Sequence, residues 1–178
     1  MPDGATTILA PNLGHAENFW ASFTGDKATP IRLRFIYEGG DDRLPRNEQG
    51  EFLDPATRNV LPVDPKSGKH RKPKVWEVEG TLDQLWPRVT ELQGHAYAAF
   101  YFPNRIKAGP GSGYDGMACD ADVEAIRALH TDHDTGLPTE WHAEPSVIVH
   151  TSEGKGQALW RCADLSVRRV GVPGPLCL

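Results

Sequence analysis

Hydrophobic and polar residues alternate through IRLRFIYE (31–38), with Ile31, Leu33, Phe35 and Tyr37 on one face and Arg32 and Arg34 on the other. A period of two predicts a half-buried β-strand. Upstream, residues 1–15 form a loose lead-in, and AENFWASFTG (16–25) sets Phe19, Trp20 and Phe23 along one side of a short helix. Downstream, KVWEVEG (74–80) predicts a second short strand. In TLDQLWPRVTELQG (81–94), Leu82, Leu85, Trp86, Val89 and Leu92 recur at helical spacing, and Thr81 with Gln84 matches a capping box. Gly94 is placed to terminate this helix, and Pro87 predicts a kink or a shifted start.

AYAAFYF (96–102) reads as a buried strand, followed by the glycine-rich loop PNRIKAGPGSGYDG (103–116). VEAIRALHTDHD (123–134) fits a helix, a strand, or one leading to the other. SVIVHTS and QALWRC are apolar segments flanking EGKG (153–156), which predicts a hairpin. Residues 39–74 are rich in Gly, Pro and charge, a long gap for a compact domain, with room for a small hairpin around GEFLDPATRNVLPV (50–63). No internal repeat is evident. Strands with a helix covering one face predict an α+β domain.

The length of 178 residues suits one domain with a real core, and 18 glycines and 15 prolines imply long loops. No stretch approaches the roughly 20 apolar residues that a membrane span needs, so no membrane partner is expected. The N-terminus lacks a basic region followed by an apolar run, as a secretory signal would have. Cys119, Cys162 and Cys177 are odd in number and scattered, which points to free thiols in a reducing, cytoplasmic setting. A net charge of −5 does not suit a simple nucleic-acid coat, yet KSGKHRKPK (66–74) is strongly basic. Lys69, Arg71 and Lys72 are its candidate DNA contacts; the alternative is a solvated loop.

Candidate chemistry concentrates in TDHD (131–134). Along an extended chain His130, Asp132 and Asp134 share one face, while Thr131 and His133 share the other. Two carboxylates about 6 Å apart repel by roughly 3 kcal/mol at an effective dielectric near 20, so either water screens them or a cation bridges them. Magnesium suits the second case, since it takes one or two carboxylates plus substrate phosphate oxygens. On spacing alone, a solvent-facing acidic turn stays open beside a metal site. An EF-hand fails, because Gly136, Leu137 and Ala143 stand at its fifth, sixth and twelfth positions counted from Asp132. No Walker loop, GxSxG elbow or HExxH motif is present. In the hairpin, Ser152, Gly154, Lys155, Gly156 and Gln157 make a turn open to two readings, polyphosphate binding or an ordinary glycine hairpin.

Together EAIRALHTDHDTG (124–136) and PSVIVHTSEGKGQALWR (145–161) resemble the RepB-like primases of plasmids and phages, within the archaeo-eukaryotic primase superfamily. The likeness covers roughly residues 75 to 165 and includes GTLDQLWPRVTELQGHAYAAFYFPN (80–104). It implies an RRM-like core of antiparallel or mixed sheet with helices on one face, in one incomplete primase-like domain over 1–178 that carries residues 39–74 as an insertion. It implies that Asp132 and Asp134 hold Mg2+ or Mn2+ as the catalytic acids. Ser152, Lys155, Gln157 and Arg127 would contact an NTP or dNTP, on a single-stranded DNA template, with a replicative helicase as a further partner. Gln157 stands where many relatives have histidine, and the family's third metal-binding acid has no counterpart, since only Asp164 follows the hairpin and lies too near it to match. The alternative is a non-catalytic DNA-binding or replication-initiation module, or an inactive remnant.

Overall fold

The computed structural model describes residues 11–152 and 154–167, with Thr151 and Ser152 described by backbone alone. The fold is α+β, with two α-helices and two antiparallel sheets among the described residues. The first sheet has the order β2-β1-β3, from β1 (Ile31–Tyr37), β2 (Trp76–Gly80) and β3 (Tyr97–Tyr101). The second has the order β4-β5-β7-β6, from β4 (Arg105–Ile106), β5 (Val123–His133), β6 (Val147–Ser152) and β7 (Lys155–Ser166). The described strands therefore divide between two sheets.

Helix α1 (Leu13–Thr24) starts where Asn12 accepts the His15 N–H and stops at Gly25, whose φ of 89° suits a residue without Cβ. It buries Trp20 and Phe23, the side that its sequence marks as apolar. Helix α2 (Leu82–Gly94) runs through Pro87 without interruption. Pro87 and Asp83 are both exposed, so water can solvate the Asp83 carbonyl that lacks its N–H partner. The Gln84 side chain accepts the Thr81 N–H at 3.2 Å, the reciprocal half of the predicted box. Gly94 remains helical, and the left-handed residue is Ala96, φ 62°.

One apolar cluster joins these elements: Trp20 and Phe23 of α1, Leu82, Val89 and Leu92 of α2, Ile31, Leu33 and Phe35 of β1, and Ala128 and Leu159 of the second sheet. The face of β1 expected to meet solvent is covered instead. Arg32 lies opposite Glu79 and Arg34 opposite Glu77 in the β1–β2 register, and each pair is an ion pair, 2.6 Å for Arg32–Glu79. The glycine-rich loop and the residues that follow it then close over them, the Gly109 carbonyl accepting from Arg32 and the Ala118 carbonyl from Arg34. Arg32 is left 8% exposed. Alternation reported which face each residue takes; it could not report that a loop some 75 residues later would bury the charged one. β3 is an edge strand with Phe100 exposed, whereas the sequence reads as buried.

The 39–74 insertion is held by hydrogen bonds that repeat at a spacing of ten residues. The Asp54 N–H donates to the Asn59 carbonyl and Arg58 N–H to Asp54; Asp64–Lys69 and Gly68–Asp64 repeat both bonds, all at 2.8 Å. Arg58 and Gly68 take the matching left-handed conformation, φ 63° and 67°. Each turn is also tied by its aspartate, which accepts from the residue two on, Ala56 or Lys66. The repeat is legible in LDPAT and VDPKS only once this bonding is known. Asp54, 3% exposed, roots the insertion by accepting from Lys74 N and from the Tyr97 hydroxyl of β3.

Candidate functional site

β5 settles the ambiguity of VEAIRALHTDHD as one long strand. Its register with β7 pairs Asp132 with Gln157, Thr131 with Ala158 and His133 with Gly156, and β6 pairs Val149 with Gln157. Direct antiparallel partners project to the same side of a sheet. Asp132 and Gln157, drawn from the two separate motifs, are thus neighbours at one end of the second sheet. Asp134 lies one residue past β5, in the turn that follows it. Both aspartates are exposed, and neither carboxylate has a hydrogen bond or ion pair to another described residue. Lys155 is exposed and pairs with Ser152 across the tight turn containing Gly154, φ 71°. The side chain of Ser152, and Glu153, lie outside the described residues.

The outer face of this hairpin is closed by residues 135–145. Trp160 Nε1 donates to the Ala143 carbonyl at 2.9 Å, and Trp141 bridges the rings of His133 and Trp160 at 5.4 and 5.6 Å. His133 also meets the Thr131 hydroxyl at 2.8 Å. Thr131 and His133 therefore serve a polar, aromatic-capped layer rather than an apolar core. Gly156 is buried beneath Leu137, and an added Cβ would come within 2.7 Å of the Val149 carbonyl. Its small size is needed for strand packing as well as for any approach to an anion.

Arg127 is separated from this end. It sits at a bulge in β5, where Asn104 Oδ1 accepts both the Arg127 and Ala128 N–H groups at 3.0 and 3.2 Å. Its guanidinium stacks 5.5 Å over Trp20 and lines a cleft of about 1010 Å3 between the two sheets, which Asp132 and Gln157 do not line. Burial pulls the Arg127 guanidinium below its usual range, against the opposing charge of Asp164. Asp164, the one acid after the hairpin, pairs with Arg105 and Arg127 in this cleft. Sequence reasoning missed the cleft and its staple, Asn104, because their partners lie more than 20 residues away along the chain.

Lys69, Arg71 and Lys72 are all exposed on the second of the repeated turns. His70 beside them packs against Phe52 with the rings tilted, 4.3 Å between centroids, which steadies the basic segment.

Two carboxylates of hard oxygen suit Mg2+ or Mn2+ by donor chemistry, provided water and phosphate oxygens complete the shell. Among the described residues no group of three or more His, Cys, Asp or Glu converges to hold a metal. No described helix is long and apolar enough to cross a membrane. Compared with family models, curated proteins and solved structures, the chain matches none.

Proposed function

We propose that the Asp132–Gln157 end of the second sheet is a primase-type nucleotidyl-transfer centre built on an RRM-like plan. The carrying observation is the β5–β7 register, which sets Asp132 directly opposite Gln157 and places Lys155 two residues away on the same strand. A divalent ion, when bound, supplies charge neutralisation for the triphosphate and the leaving pyrophosphate. Asp132 and Asp134 would hold that ion by their unpartnered carboxylates. Gln157 would position a nucleotide oxygen through its amide, and Lys155 would neutralise a phosphate as a compact cation. The test is primer synthesis on single-stranded DNA with Mg2+ or Mn2+ and NTPs or dNTPs, comparing the native chain with Asp132→Ala plus Asp134→Ala. Product from the native chain alone supports the reading; equal product from both removes it.

A second reading is favoured by the absence, among the described residues, of a third acid beside Asp132 and Asp134, and by the exposed basic turn. In it the chain is a non-catalytic DNA-binding or replication-initiation module that contacts the phosphate backbone through Lys69, Arg71 and Lys72. Binding would then weaken steeply with salt, ignore divalent metal, and drop on Lys69→Glu plus Lys72→Glu. Binding that requires Mg2+ and survives those substitutions would exclude it.

A further inference from the structure

The cleft between the sheets holds two guanidiniums at one level of the second sheet. Arg161 of β7 is the register partner of Ala128, and Arg127 precedes Ala128 at the bulge. Arg127 is only 11% exposed, and its acidic neighbour, Asp164 Oδ1, lies 3.7 Å from Nε, too far for a hydrogen bond. Arg161 has no carboxylate partner among the described residues and makes one long bond, 3.4 Å, to the Thr24 carbonyl. A desolvated guanidinium with unused donors is costly unless an anion meets it. Trp20 stacking and the Asn104 staple nevertheless hold Arg127 in place.

Charge selects the anion. In the same cleft Arg32 is neutralised by Glu79 and Arg105 by Glu124, at 2.6 and 3.1 Å. Asp164, which also pairs with Arg105 at 3.3 Å, is then the one carboxylate facing Arg127 and Arg161, so the four arginines and three acids lining the cleft leave an excess of one positive charge. That balance suits a monoanion; a dianionic phosphate would leave a net negative charge beside Asp164 and Glu124. Pro30, Phe102 and Ile106 add apolar wall to the cleft. A planar carboxylate matches the two-toothed geometry that guanidiniums prefer.

We propose that this cleft is a binding site for a small carboxylate with an apolar body, held by Arg127 and Arg161. The site is independent of the nucleotidyl-transfer reading, since Asp132, Asp134 and Gln157 lie outside it.

The test uses the full chain, isotope-labelled, titrated with hexanoate, hexan-1-ol and hexyl phosphate and followed by amide and Trp20 indole shifts. Hexanoate is expected to saturate, with shifts centred on Trp20, Thr24 and Arg161, and hexan-1-ol to bind far more weakly. Arg161→Gln, at an exposed position, should weaken hexanoate about tenfold or more, the loss of one charge-assisted contact. Arg127→Lys, with its fold checked by thermal melting, should also weaken it, because lysine keeps the charge and loses the fork. Asp132→Ala plus Asp134→Ala should leave hexanoate binding intact, separating this site from the one above. The proposal is overturned by an absence of saturable hexanoate binding, by equal binding of hexan-1-ol, by tighter binding of hexyl phosphate, or by an unchanged affinity in Arg161→Gln.

Discussion

Asp132 and Gln157 stand Cα opposite Cα across β5 and β7, at the end of the sheet and away from the cleft that Arg127 lines. The pairing joins two motifs 25 residues apart, and the Asp132 carboxylate meets no partner among the described residues. An exposed carboxylate that stabilises no neighbour is free to serve a ligand.

Stability should register that freedom directly. Asp132→Ala plus Asp134→Ala is expected to alter unfolding free energy by no more than about 0.5 kcal/mol, as surface changes without partners do. Added Mg2+ should raise the native melting temperature and leave the double variant unmoved, by linkage of metal binding to folding. Thermal melts with and without metal read both effects. A marked loss of stability in the variant would show the acids to be structural.

Asp54 should behave in the opposite way. Burial disfavours its charge, but N–H groups of Lys74, Thr57 and Ala56 outweigh that and hold the carboxyl below the usual carboxylate range. Asp54→Ala orphans those donors and the Tyr97 hydroxyl, and should cost about 1–3 kcal/mol in urea unfolding. Tyr97, pushed up to about 12 by burial and by the Asp54 charge, should begin to titrate at lower pH in the variant. Native-like stability on removing Asp54 would detach the insertion from the core.

Asp122 supplies an acid-dependent contribution. The Ser112 N–H, with the Cys119 N–H and the Ser112 hydroxyl, depresses its carboxyl to about 2 against the cost of burial. A pKa lowered on folding stabilises the native state above the unfolded value of 3.8 and is lost as pH falls through about 2. Native protein should therefore exceed Asp122→Asn in stability at neutral pH, with the gap closing below pH 3.8. Denaturant midpoints measured across that range would refute the assignment if the gap stayed constant.

Gly156→Ala tests the hairpin packing. The new methyl would meet the Val149 carbonyl on β6, a backbone atom that cannot move without the strand. Destabilisation of about 1–3 kcal/mol is expected, as for overpacked interiors. Amide exchange should accelerate at Val149 and Gln157 before it changes in the first sheet. Unaltered exchange there would mean the strands part easily and Gly156 has no packing role.

The sequence by itself determined β1, β2, most of α2 and the buried side of α1, because helical and strand periods and the Thr81–Gln84 box act within a few residues. The Asn12 cap, within the expected lead-in, starts α1 at Leu13 rather than Ala16. The sequence also singled out Asp132, Asp134 and the Lys155–Gln157 turn as candidate chemistry, with a solvated acidic turn and a plain glycine hairpin left open. Tertiary structure decided the rest. Only strand pairing could set Asp132 beside Gln157, and only a returning loop could bury Arg32 and Arg34 against Glu79 and Glu77. Likewise, the stacking of Arg127 on Trp20 and its register level with Arg161 depend on β5, β7 and α1 meeting in space. Local patterns report the conformation of a segment, whereas a site depends on which distant segments lie beside it, and that is set by packing the whole core at once.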